Sequence, residues 1–120
     1  MSDYQMGVVE TQFADIIWDN EPISSTELSK LAEEKLNWKK STSYTVLRRL
    51  CQKGIFTNEN GSVRSLMSRD EFYAHQSKTF VDETFNGSLP AFLAAFTSNK
   101  KLSADEISQL RRMVEEYEEE

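Results

Sequence analysis

Residues 41–65 read STSYTVLRRLCQKGIFTNENGSVRS, and their order decides the fold. The first part has helical spacing: Val46, Leu47, Leu50 and Cys51 share one face. Thr42, Thr45, Arg48, Arg49 and Gln52 fall mostly outside it. Ser41 or Thr42 is the expected N-cap of this helix, which should end near Lys53, with Gly54 as a left-handed stop. Ile55 to Glu59 reads as a strand, and Ser62 to Met67 as its return, carrying Arg64. Between them, Asn60-Gly61 is the strongest two-residue hairpin signal, because both residues tolerate positive φ. A helix with a polar, basic outer face is therefore followed directly by a β-hairpin.

Upstream, Val9, Phe13, Ile16 and Ile17 mark one face of a helix over residues 8–19. Asn20-Glu21-Pro22 ends it, because proline cannot continue a helix and biases the residue before it away from the helical region. Ser24 and Glu27 fit a capping box. The helix that follows should run to about Asn37, with Leu28, Leu31, Ala32 and Leu36 inward. Trp38-Lys39-Lys40 is a short connector, with Trp38 as its packing anchor. Downstream, Ser68 to Glu71 and Ser103 to Glu106 are two further capping boxes. They open helices expected to about Phe85 and through Tyr117, the second fraying into Glu118 to Glu120. A short apolar helix is expected from Leu89 to Phe96, then a polar loop from Thr97 to Lys101.

The 120 residues amount to one ordinary domain, or a small domain with an appendage. With 38% hydrophobic residues, the chain can build a core. One cysteine and one histidine exclude a disulfide framework and a Cys/His metal cage within one protomer, so no metal or cofactor is expected. Cys51 reads as a core filler and His75 as an ordinary helix-surface residue. No apolar run is long enough to insert in a membrane, and no leader is visible at the start, so the cytoplasm is the expected compartment. No nucleophilic triad, carboxylate dyad or phosphate-binding glycine loop can be assembled, so an enzyme is not expected.

The net charge of −6 argues against nucleic acid until it is divided along the chain. Residues 1–34 hold one base and eight acids, and residues 70–120 hold five bases and eleven acids. Residues 35–69 hold eight bases and a single acid, Glu59. A segment of +7 thus lies between flanks of −7 and −6. Three helices, then a hairpin, with the third helix basic, is the order of a winged helix-turn-helix, in which that helix enters the major groove. About 4–6 phosphate contacts per protomer would make binding strongly salt-dependent. The fold class expected is therefore mainly α with a small β-hairpin. Residues 1–69 would form a winged helix-turn-helix DNA-binding domain, and residues 70–120 a helical dimerisation domain. The dimer face would comprise Phe80, Phe85, Leu89, Phe92, Leu93, Phe96, Leu110, Met113, Val114 and Tyr117, too much apolar surface for three thin helices to bury alone. A winged helix that binds only protein partners is the alternative, and the +7 segment counts against it.

Five motifs in register over residues 8–116 resemble the penicillinase repressor family. They are Ile16-Ile17-Trp18 at the end of the first helix, Trp38 before the third, and Thr42-x-x-Thr45-x-Leu47-x-Arg49-Leu50-x-x-Lys53-Gly54 in the recognition helix. Phe85-Asn86-Gly87-Ser88 and Leu102-Ser103-x-Asp105-Glu106-Ile107-x-x-Leu110 follow in the dimerisation region. The resemblance implies a homodimeric bacterial repressor on a palindromic double-stranded DNA operator, controlling resistance or copper-handling genes and released by an inducing signal. It implies that Lys39, Lys40, Ser41, Thr42, Tyr44, Thr45, Arg48 and Arg49 supply most DNA contacts, with Ser41, Thr42, Tyr44 and Thr45 nearest the bases. Arg64 on the wing would hold the backbone. Tyr44 stands where MecI-type members have Arg, so a different operator is implied. One branch of the family is inactivated by a membrane sensor-protease pathway at an Asn–Phe bond, and the corresponding bond here is Ala95–Phe96, with Phe kept and Asn replaced. The paired-cysteine box of the copper-responsive branch has no counterpart in a chain with one cysteine.

Overall fold

A computed structural model describes residues 4–117. Residues 1–3 of the start read above, and the expected frayed tail at residues 118–120, lie outside the described residues. The elements are α1 (Val8–Asn20), β1 (Ile23–Ser24), α2 (Ser25–Leu36), α3 (Lys40–Gln52), β2 (Phe56–Glu59), β3 (Ser62–Ser65), α4 (Arg69–Thr84), α5 (Leu89–Asn99) and α6 (Ala104–Glu116). The chain is mainly helical with a small antiparallel sheet, as its sequence predicts. It forms two compact units that divide between Ser77 and Lys78, inside α4.

The N-terminal unit has a closed core. Phe13, Ile17, Leu28, Leu50, Ile55, Phe56, Val63 and Phe72 are all essentially inaccessible. They come from α1, α2, α3, the hairpin with the residue before it, and the first turn of α4, so burial of apolar area ties these elements together. Trp18 packs its ring against Phe56 and Phe72 at 5.2 and 5.7 Å between centroids. Its Nε1 donates to the Met67 carbonyl at 3.0 Å, which gives a half-buried indole its partner. The Glu21 carboxylate accepts from the Ser65 backbone N at 2.7 Å and from its hydroxyl, fixing the base of the hairpin to the end of α1.

The sheet order is β1-β3-β2. The hairpin register pairs Phe56 with Ser65 and Glu59 with Ser62, around Asn60 at φ 53° and Gly61 at φ 84°. That is the positive-φ pair an Asn-Gly turn supplies. β1 was not expected: two residues, Ile23 and Ser24, pair with Val63 and Ser62. A two-residue strand between a proline and a helix cap has no periodicity to read.

Three further expectations are corrected. Val9 is exposed, and Ala14 takes the inward place on α1. α3 begins two to three residues earlier than foreseen, with Lys39 at the N-cap and no side-chain cap bond, so neither Ser41 nor Thr42 caps it. α5 continues to Asn99, absorbing three of the five residues of the expected polar loop, with the Thr97 and Ser98 hydroxyls bonded back to the Leu93 and Ala95 carbonyls within the helix.

The C-terminal unit is built differently. The Ser103–Glu106 box is reciprocal, with both bonds near 3.0 Å, and Ser88 caps α5. Asn86 and Gly87, at φ 52° and 80°, end α4. Phe80, Phe85 and Phe92 meet edge to face at 5.7–6.0 Å. Yet none of its described side chains is buried, and Phe80, Leu89, Phe96, Ile107, Met113, Val114 and Tyr117 are exposed.

Candidate nucleic-acid interface

The turn between α2 and α3 sets the aim of α3. Asn37 takes the left-handed conformation at φ 59° and its N–H closes the end of α2. Trp38 then stacks on Phe13 at 5.0 Å and 23°, which seats the turn on α1. The helices cross through small residues: Ser29 of α2 and Ser43 of α3 are both buried. With Ser43, Val46, Leu47 and Leu50 inward, the opposite side of α3 presents Ser41, Thr45, Arg48 and Gln52 at helical spacing. All four are exposed.

Near the N-terminal end of that stripe stand Lys39, Lys40 and Thr42, also exposed. No side chain caps the first N–H groups of α3, and two lysines flank them. Uncapped amides beside cations suit a phosphate oxygen. Thr45 donates its hydroxyl to the Ser41 carbonyl at 2.9 Å, which holds its rotamer and leaves the oxygen as an acceptor.

Tyr44 is turned toward α2. Its hydroxyl donates to the Ser25 Oγ at 3.4 Å, and Lys40 lies 5.9 Å above its ring. The Ser25 hydroxyl, able to donate to the ionised phenolate, holds the phenol below the usual tyrosine range, against the opposing effect of desolvation. The other edge of Tyr44 lines a groove of about 370 Å³ with Leu47, Arg48, Cys51, Phe56, Thr57 and Leu66. Cys51 is half-buried there, and burial pushes its thiol up, consistent with a packing role.

The eight bases of residues 35–69 do not act as one patch. Arg69 is bound to Asp19 at 2.7 Å and Asp15 at 3.2 Å and lies over the Trp18 ring. Arg64 pairs with Glu59 at 3.1 Å. Arg49 and Lys53 converge on Glu10 at 3.9 and 3.8 Å. Among the described residues, Lys35, Lys39, Lys40 and Arg48 make no ion pair, so four of the eight keep their full charge toward solvent. Three of those four, Lys39, Lys40 and Arg48, lie on or beside α3.

The expected site residues thus fall into two groups. Lys39, Lys40, Ser41, Thr42, Tyr44, Thr45 and Arg48 are brought together on α3. Arg49 sits toward α1 beside Glu10, and Arg64 is tied to a carboxylate on its own hairpin. Gln52 belongs with the exposed stripe and was not among the expected contacts, although its position four residues after Arg48 and seven after Thr45 signals it. Glu10 was missed because only the folded chain sets it beside α3.

Two comparisons with known proteins bear on this geometry. The penicillinase repressor family matches residues 6–116. The penicillinase repressor of Bacillus licheniformis is 26% identical over 117 residues, covering 94% of this chain and 91% of the relative. The methicillin resistance regulatory protein MecI of Staphylococcus aureus is 24% identical over 115 residues, covering 92% of this chain and 94% of the relative. A second penicillinase repressor, also from Staphylococcus aureus, is 24% identical over 111 residues.

Proposed function

Because this chain belongs to the penicillinase repressor family, a family of transcriptional repressors, we propose that it is a homodimer that occupies a palindromic DNA operator and is released by an inducing signal. The observation that carries this reading is the outer stripe of α3. Ser41, Thr45, Arg48 and Gln52 supply donors and acceptors matched to base edges in the major groove. Lys39 and Lys40 supply unneutralised charge for the flanking phosphates. Thr42 borders the same contact, and Tyr44, held by Ser25, contributes its ring edge. Arg49 and Arg64, each paired with a carboxylate, would reach the DNA backbone only by leaving those partners and are not base readers.

The exposed apolar side chains of the C-terminal unit support dimerisation. Phe80, Leu89, Phe96, Met113, Val114 and Tyr117, with the half-buried Phe85, Phe92, Leu93 and Leu110, make a surface that a lone chain leaves in water. A second copy covering it would set two recognition helices on two half-sites, as a palindrome requires. The regulated gene would be one of antibiotic resistance, in keeping with the penicillinase repressor and the methicillin resistance regulatory protein it is similar to. No helix among the described residues is long and apolar enough to cross a membrane, which fits action at DNA in the cytoplasm. Release through a membrane sensor-protease would require cutting at Ala95–Phe96. That bond lies inside α5, so the helix must open before a protease can hold it extended.

A mobility shift on duplex from the chain's own upstream region tests the reading. Binding at micromolar protein and about 100 mM salt, weakening steeply as salt rises, is expected. No shift would overturn it and leave the winged helix as a protein-binding module. Sedimentation of the free protein tests the dimer: a monomer at tens of micromolar would overturn that part.

A further inference from the structure

Glu10 has no place in the reading above, and its surroundings are unusual. Its side chain is 19% exposed, and Oε2 is buried with no hydrogen-bond partner. The other oxygen, Oε1, accepts from the Gly7 N–H at 3.1 Å, so the carboxylate is fixed at the start of α1. Arg49 of α3 and Lys53, the residue after its end, face Oε2 at 3.9 and 3.8 Å. They differ in mobility. Lys53 is 18% exposed and also donates to the Gln5 carbonyl, so it is held in place. Arg49 is 55% exposed, and its only partner among the described residues is Glu10.

We propose that Glu10 is a counter-charge that withholds Arg49 from the DNA backbone, setting how strongly this protein binds polyanions in general. The inference rests on the proposed DNA-binding function and adds a residue on α1 that controls it. Arg49 has two destinations: the Glu10 carboxylate, or a phosphate reached from the flank of α3. The carboxylate is anchored by Gly7 and keeps Lys53 as a permanent partner, so it does not lose all compensation when Arg49 leaves. The exchange is therefore possible, but giving up Glu10 subtracts from the gain of an Arg49 phosphate contact and holds Arg49 back. That loss falls equally on every DNA sequence. The base-reading stripe, Ser41, Thr45, Arg48 and Gln52, is untouched. The effect is a lower affinity for any polyanion at an unchanged ratio of specific to non-specific binding, so that non-specific DNA, held by phosphate contacts alone, is released at lower salt.

Glu10→Gln tests this, because the amide oxygen still accepts from Gly7 while the charge is lost. Glu83→Gln, an exposed acid in the C-terminal unit, serves as the charge-matched control. The first readout needs no operator: elution from immobilised heparin. Glu10→Gln should elute at higher salt than both the parent and Glu83→Gln. Adding Arg49→Gln should abolish that gain. On random-sequence duplex, the plot of log affinity against log salt should steepen by about 0.9 for each arginine freed. Equal elution of Glu10→Gln and Glu83→Gln would overturn the proposal, as would a gain that survives Arg49→Gln. A thermal melt identifies a purely structural role: lower stability with an unchanged salt slope also overturns it. If the heparin ordering holds while the parent shifts no upstream duplex, the counter-charge stands and the repressor reading fails.

Discussion

The two units of this chain use the same kinds of residue to opposite ends. In the N-terminal unit, Phe13, Phe56 and Phe72 are sealed from water by elements that reach them from every side. In the C-terminal unit, Phe80, Phe85 and Phe92 meet one another edge to face and Phe96 tilts against Phe92, yet all stay half-buried or exposed. One unit completes its core alone, and the other leaves an apolar surface for something else to cover. The difference shows that amphipathic periodicity signals a buried face without saying who buries it.

The sharpest way to break the contrast is one truncation in each unit. Phe13→Ala removes a fully buried ring that also supports Trp38. Urea unfolding should show a loss of about 3–5 kcal/mol. Phe96→Ala, at a ring that is 43% exposed, should leave chain stability nearly unchanged but weaken self-association by about thirtyfold, the size of an aromatic hot spot. Sedimentation equilibrium measures it. If both truncations act alike on unfolding, the contrast is wrong.

A smaller effect is expected at the surface of the N-terminal unit. Arg48→Ala should lower operator affinity by about tenfold, within the range for one base-edge contact, while melting as the parent does. Titration by fluorescence anisotropy measures it. A loss that is equal on operator and random duplex would make Arg48 a phosphate contact instead.

The smallest effect is titration of the capping boxes. Hydrogen bonds from Ser68 hold the Glu71 carboxyl below the usual range, and those of Ser103, with Lys100 nearby, do the same for Glu106. A carboxyl lowered in the folded state stabilises fully above its unfolded pKa of about 4.3 and loses that contribution as pH falls through the folded value. Thermal melts from pH 6 downward should therefore fall less steeply for Glu71→Gln than for the parent. An identical slope would remove Glu71 from the acid response.

Much of this was legible in the sequence. Asn60-Gly61 placed the hairpin, and the Ser68 and Ser103 boxes placed two helix starts, because each signal is local chemistry. The polar face of α3 was legible too, since side-chain direction follows from spacing. What escaped was what the folded chain decides. The two-residue β1 depends on β3 being beside it. Lys39 became the N-cap because Asn37 and Trp38 fix where the helix starts. The basic segment lost half its charge to Glu10, Asp15, Asp19 and Glu59, three of which lie on α1 and far from it in sequence.

The positions of the two tryptophans make the chain a selective optical instrument. Trp18 sits among Phe56, Phe72 and the Arg69 guanidinium, and Trp38 lies flat on Phe13, all within the N-terminal unit. The C-terminal unit carries no tryptophan. Tryptophan emission therefore follows the melting of one half of the molecule alone, and loosening or cleavage of the other half passes in the dark.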